Sequence, residues 1–191
     1  IAKKYRIPVD ITGPTRVHGR LTLQKTSVRS FMAHKTVIIG SLSITAFPKF
    51  HDASDPHSFM ISNGSVNIGV FTDLGVCCDQ LIGHFKQCHA AFLEANYDED
   101  LLEYGRDPAF LKQRIRGGQG HLSNRQSLNL FVKHQPAFIS PFLLPHLQHQ
   151  HNSPQIPADP FQPHPTHTPY VIACPYPDTT PFACGLAPSQ N

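Results

Sequence analysis

Thirteen of the chain's 18 prolines fall between Pro136 and Pro188. A proline ring removes a ladder donor and blocks a helix interior, so regular structure must be built ahead of that stretch. The 191 residues are therefore read as one domain over residues 1–150 with a Pro/His-rich segment, 151–191, behind it. Five of the 13 histidines lie between His146 and His167, and only PYVIAC and TTPFAC keep the look of remnant closing strands there.

Ahead of the prolines the patterns are regular. TVIIGSLSITAFPKF, from Thr36 to Phe50, is rich in β-branched residues and reads as two short strands. SFMIS and SVNIGVFTD flank Asn63-Gly64, which predicts a hairpin whose two central residues take positive φ. CDQLIGHFKQC has helical spacing, and AAFLEAN reads as a short buried strand. DEDLLEYG and DPAFLKQRI are predicted helices, with acidic residues and Pro108 near their starts. Ser123 and Gln126 make a capping box for a helix carrying Leu128, Phe131 and Val132. AFISPFLLPHL follows as a broken strand, and the opening AKKYRIPV reads as the end of a basic helix entering a strand. Strands followed by alternating helices and strands predict an α/β protein with a layered sheet.

Composition narrows the setting. A formal charge of +3 permits nucleic acid as a partner without requiring it, because the basic residues form no long run. Five cysteines at irregular spacing make no disulfide framework and no zinc knuckle; Cys77, Cys78 and Cys88 read as core thiols. No apolar run approaches the ~20 residues of a membrane span, and no signal peptide opens the chain. The setting these features predict is the cytoplasm.

Three segments share one grammar, an apolar strand ending in a metal-capable residue. They are His51 after ITAFPKF, Asp73 after NIGVFT and His146 after FISPFLL. Strand ends converge on one rim of a sheet, and imidazole with carboxylate suits zinc, iron or manganese. His121, in GGQGHLSN just before the capped helix, is placed for proton donation or anion contact. His57, His84 and His89 are read as surface residues, and Lys112, Arg114 and Arg116 as a solvated face.

HDASDPHSF, GVFTDLG and FLEANYDEDLLEYGRDPAFLKQRIRGGQGHLSN together resemble the metallo-β-lactamase-fold hydrolases, in their YycJ/WalJ-like, exonuclease-like branch. LKQRIRGGQGHLSN is the most specific part of the likeness, which covers residues 1 to about 150. It implies an αββα sandwich with a dinuclear metal site on one edge of its sheets. By position, His51 is similar to the family's single metal-binding histidine after the first sheet, and Asp73 to the carboxylate that bridges two metals. His146 is similar to the last metal ligand. His121 matches the histidine that nuclease relatives use near the scissile phosphate. Glu94 aligns with the acidic residue supporting the site from behind, and Asp55 would orient a ligand or close its loop. Tyr97 stands where relatives often have histidine. The family's His-x-His-x-Asp-His motif would lie upstream of Ile1, so the sandwich is expected to be incomplete at the N-terminus.

The implied activity is a metal-dependent phosphodiesterase or exonuclease acting on nucleic acid. Its cofactors would be two divalent ions, zinc or manganese, provided the further ligands are supplied. Two alternatives stand beside it: a catalytically inactive fragment, and a small-ester or thioester hydrolase on the same fold.

Overall fold

The computed structural model describes residues 9–11, 28–30, 32–139, 142–144, 151–152 and 170–172. Thr36–Phe50 forms the two strands its β-branched residues predict. β3 (Thr36–Ile39) and β4 (Leu42–Pro48) pair as a hairpin, with Gly40 at φ +61° in the turn. β5 (His57–Ser62) and β6 (Asn67–Phe71) form a second hairpin. β7 (Ala90–Leu93), β8 (Phe142–Leu144) and β9 (Tyr170–Ile172) then add in parallel, giving a seven-stranded sheet in chain order from β3 to β9. β1 (Val9–Ile11) and β2 (Val28–Ser30) make a separate parallel pair. The TTPFAC stretch and the residues before Val9 lie outside the described residues.

Strand direction decides where the loops gather. β4 and β6 are both antiparallel to β5, so they run in the same sense, and β7 to β9 follow β6 in parallel. The carboxyl ends of β4, β6 and β7 therefore share one edge, the edge at which ligands of such sheets bind.

The Asn63-Gly64 hairpin forms with a different turn from the one expected. Register pairs Ser62 with Asn67, which leaves four residues in the loop, and Gly64 takes φ +93° while Asn63 does not enter the left-handed region. Asn63 instead uses its side chain: Oδ1 accepts from the amides of Ser65 and Val66 at 3.0 and 2.8 Å. An asparagine that caps its own turn in this way does the work that positive φ would otherwise do.

Among the described residues four helices are set between the later strands: α1 (Asp79–Phe85) between β6 and β7, and α2 (Glu99–Tyr104), α3 (Ala109–Arg116) and α4 (Asn124–His134) between β7 and β8. Asp98 caps α2 by accepting from the amides of Asp100 and Leu101, and Pro108 stands at the start of α3. The capping box of α4 is complete, with Ser123 and Gln126 satisfying each other's backbone amides. Its buried face differs from the expected one. Ser127, Leu130 and Phe131 turn inward, Leu128 is half-buried, and Val132 is 40% exposed, one residue past the apolar stripe.

Phe47 and Phe71 from the sheet, Leu81 and Phe85 from α1, and Leu130 and Phe131 from α4 form the main core. A smaller cluster of Tyr97, Leu102 and Ile115 joins α2 to α3. Cys88 is fully buried in the main core, its thiol pushed up to about 12 by burial; Cys77, raised to about 11 for the same reason, precedes α1. The three histidines read as surface residues are half-buried and packed. His84 stacks on Phe47 with centroids 4.0 Å apart, His57 Nδ1 lies 3.0 Å from the Asp55 carbonyl, and His89 Nδ1 accepts from the Asn67 amide. Imidazole has an apolar body and a polar edge, so it fills such boundary positions well. No described helix is long and apolar enough to cross a membrane.

Phe71 is fully buried against Phe47 and Phe85. Phe71→Ala should cost about 3–5 kcal/mol of unfolding free energy, whereas Val132→Ala should stay within about 0.5 kcal/mol; urea denaturation followed by circular dichroism measures both.

Candidate metal and hydrolytic site

Three loops meet at the shared sheet edge, and their backbones are laced together. The Gly75 amide donates to the Phe50 carbonyl at 2.7 Å, and the Asp52 amide to Gln119 at 2.9 Å. The approach is too close for side chains. A Cβ on Gly75 would lie 2.2 Å from the Gly118 carbonyl oxygen, and one on Gly120 2.1 Å from that of Ile115. Gly75 thus serves the contact between two loops, and Gly120 the tight exit of its loop from the preceding helix.

His51, Asp73 and His121 converge here, each offering one ligand atom, all within 4.8 Å of one another. His51 Nδ1 is 3.0 Å from the Gly120 carbonyl, so Nδ1–H donates and Nε2 keeps its lone pair. His121 Nδ1 is 2.6 Å from Glu94 Oε1, which fixes that ring in the same sense. A carbonyl or carboxylate on the far nitrogen is how imidazoles are oriented toward metals. The two rings lie 5.1 Å apart, tilted by 59°. Asp73 takes φ +53°, unusual for a non-glycine residue, and its Oδ1 lies 4.0 Å from His121 Nδ1. Strain of this kind persists where the surroundings over-determine it. His51 and Asp73 in this arrangement suit a divalent transition metal, and His121 stands within reach of what such a metal would hold.

Glu94 lies behind the cluster with no solvent exposure. Besides His121 it accepts from the Leu74 amide at 2.6 Å and the Leu122 amide at 3.4 Å, so both loops are tied to one carboxylate. Burial disfavours the His121 imidazolium, but the Glu94 hydrogen bond and the charges of Glu94, Asp73 and Asp52 outweigh it and raise the pKa.

The remaining sequence candidates have other surroundings. Asp55 sits beside His57, its carboxylate 3.7 Å from that ring. Tyr97 is buried among Leu102 and Ile115. His146 lies outside the described residues. Lys112, Arg114 and Arg116 are exposed or half-exposed but paired: Lys112 and Arg116 bind Glu103, and Arg114 Nε lies 2.5 Å from Asp52 Oδ2.

Two residues at the site escaped the sequence reading. Asp52 has Oδ1 3.6 Å from His51 Nε2, and the Arg114 hydrogen bond holds its carboxyl below the usual range. Its position directly after His51 was the available signal. Lys49 lies two residues before His51, with its side chain 9% exposed. Its Nζ donates to the Thr72 carbonyl at 2.6 Å and lies 3.8 Å from Asp73 Oδ2. Burial pushes the Lys49 pKa down, against the pull of Asp73 and Glu94. A lysine between Pro48 and Phe50, directly after the apolar strand, was the available signal.

The fold is that of the metallo-β-lactamase-fold proteins. The structure resembles that of the metallo-β-lactamase fold protein YhfI from Bacillus subtilis, with a TM-score of 0.62 and 19% identity, over 86% of this chain and 61% of that one. It also resembles Zn(2+)-bound PqqB from Methylobacterium extorquens, with a TM-score of 0.59 and 13% identity, over 87% and 62% of the two chains. In sequence the chain is similar to exodeoxyribonuclease YycJ of Bacillus anthracis, 28% identical over 132 residues covering 66% of this chain and 49% of the relative. It is likewise similar to exodeoxyribonuclease WalJ of Streptococcus pneumoniae strain D39, 29% identical over 122 residues covering 64% and 45%. The chain thus spans about half the length of the curated relatives it matches. No family model matches it.

The raised pKa of His121 has a defined sign in stability. Its contribution is complete below the unfolded imidazole pKa of ~6.5 and is lost as pH rises through the higher folded value. Glu94→Gln should lower the His121 pKa, read from its ring-proton shifts in a metal-free NMR titration, and should shrink that stability difference.

Proposed function

We propose that the chain carries part of the active site of a metal-dependent phosphodiesterase, an exonuclease acting on nucleic acid. The observation that supports this most is the convergence of His51, Asp73 and His121 within 4.8 Å at the sheet edge, with Glu94 orienting one of the imidazoles. The similarity to proteins named exodeoxyribonuclease supports the choice of substrate.

His51 Nε2 and Asp73 would hold a divalent cation, zinc or manganese, with His146 as a further ligand. A second cation at Asp73 would need additional ligands. Bound there, such a cation supplies Lewis acidity toward phosphoryl oxygens and activation of water.

The chain's own residues do the rest. Glu94, tied to the Leu74 and Leu122 amides, holds the His121 ring in place by its Nδ1 hydrogen. With Nδ1–H engaged by Glu94, Nε2 is the ring position that carries a transferable proton. From there the proton passes to the departing ester oxygen, the step that general acids accelerate by about 10²–10⁴-fold. Asp52 and Arg114 form the charged rim next to His51. Arg114 is 65% exposed at its side chain, which places a guanidinium within reach of a polyanion. The free thiols of Cys77, Cys78 and Cys88 support a reducing, cytoplasmic setting for this chemistry.

Metal-dependent release of nucleotides from linear DNA, halted by a chelator, is the expected activity of the protein. Asp73→Asn should reduce it by about a hundredfold or more. His121→Ala should reduce it by about a hundredfold and flatten the alkaline limb of the pH profile. Cleavage unchanged in Asp73→Asn would sink the assignment, and turnover confined to thioesters would move it to a different substrate on the same fold.

A further inference from the structure

Lys49 does work that neither the sheet nor the core requires. Strand β4 ends at Pro48, and its core contacts are made by Ala46 and Phe47. One residue past the strand, the Lys49 side chain turns inward until it is 9% exposed, burying an ammonium where an apolar side chain would cost nothing. Its backbone amide is anchored on the Pro56 carbonyl at 3.1 Å, which fixes its root against the other side of the His51 loop. The ammonium then spans the peptide of the strained residue. It binds the Thr72 carbonyl, immediately before Asp73, and stands 3.8 Å from Asp73 Oδ2.

The two oxygens of Asp73 therefore face different partners. Oδ2 faces the lysine; Oδ1 faces His121 at 4.0 Å. Of the three carboxylates at this edge, Asp52 is paired with Arg114, and Lys49 is the cation set against Asp73 and within the field of Glu94.

We infer that Lys49 is a positioning residue for Asp73 and an internal counter-cation of the metal centre. Its ammonium holds the carboxylate by Oδ2 in the absence of metal and opposes a divalent cation approaching from the His51 side. Metal and lysine are then antagonists for one carboxylate. Lys49 stabilises the metal-free site and weakens the site's hold on its metal. This rests on the reading of His51 and Asp73 as cation ligands.

Lys49→Met keeps the length of the side chain and removes the charge. The metal-free variant should melt below the wild type. Its affinity for Zn²⁺, measured by calorimetry on the chain, should rise about tenfold or more, as expected when a positive charge is removed from beside a metal ligand. The rise in melting temperature on adding Zn²⁺ should be correspondingly larger in Lys49→Met, and Lys49→Arg should restore wild-type affinity. In the wild-type chain itself, the ¹⁵N-resolved ammonium signal of Lys49 should shift as Zn²⁺ is added. A purely structural lysine would lower the melting temperature and leave the affinity unchanged or weaker. That result, or a Lys49 signal that does not move while Zn²⁺ binds, overturns the inference and leaves the metal site standing. If Zn²⁺ binds neither the wild type nor the variants, both fall together.

Discussion

A single buried carboxylate organises this sheet edge. Glu94 leaves the end of β7 with no solvent exposure, and its two oxygens take a ring nitrogen of His121 and the amides of Leu74 and Leu122. A buried carboxylate without donors would be expensive, so the loops that supply those donors are held where Glu94 needs them. One of these loops carries Asp73 and the other His121. The geometry between an acid and a base from distant parts of the chain is thus set by a residue that touches no solvent.

The second constraint is backbone direction. Two antiparallel steps followed by parallel additions bring the ends of β4, β6 and β7 to the same edge. Residues 51, 73 and 94 follow those strands, and the Gly-Gly-Gln-Gly loop closes over them. The Gly118 carbonyl packs against Gly75 where two loops meet, and the end of α3 packs against Gly120, so neither position has room for a larger residue. Lys49 adds electrostatic balance to a group of carboxylates that would otherwise repel one another.

Much of the fold was legible because its signals are local. β-Branched alternation marked β3 to β6, and the Ser123–Gln126 box marked the start of α4 to the residue. Asp73 and His51 were legible as polar residues closing apolar strands. What could not be read is what depends on long-range contact. Periodicity alone did not show that Val132 lies just outside the buried stripe, or that His84 would find Phe47 to stack on. Asp52 and Lys49 flank His51 in sequence, but their importance comes from partners 62 and 23 residues away. The Asn63 turn shows a subtler limit, since the sequence pair marks the hairpin while the side chain chooses the turn.

The lacing of the three loops by main-chain hydrogen bonds has a consequence for how such a site can change over time. Gly75 to Phe50, Asp52 to Gln119, and Asn96 to Leu122 are joined through peptide groups, which every residue type except proline can provide. The side chain of Asp73 projects from this mesh, and that of His51 adds one tie of its own, from Nδ1 to the Gly120 carbonyl. Substitutions there can alter or abolish chemistry while the loops stay tied, so lineages can drift between substrates, or into silence, on an unchanged scaffold. Glu94 is different in degree, because its carboxylate ties both the Asp73 loop and the His121 loop. It is the position at which chemistry and architecture cannot be inherited separately.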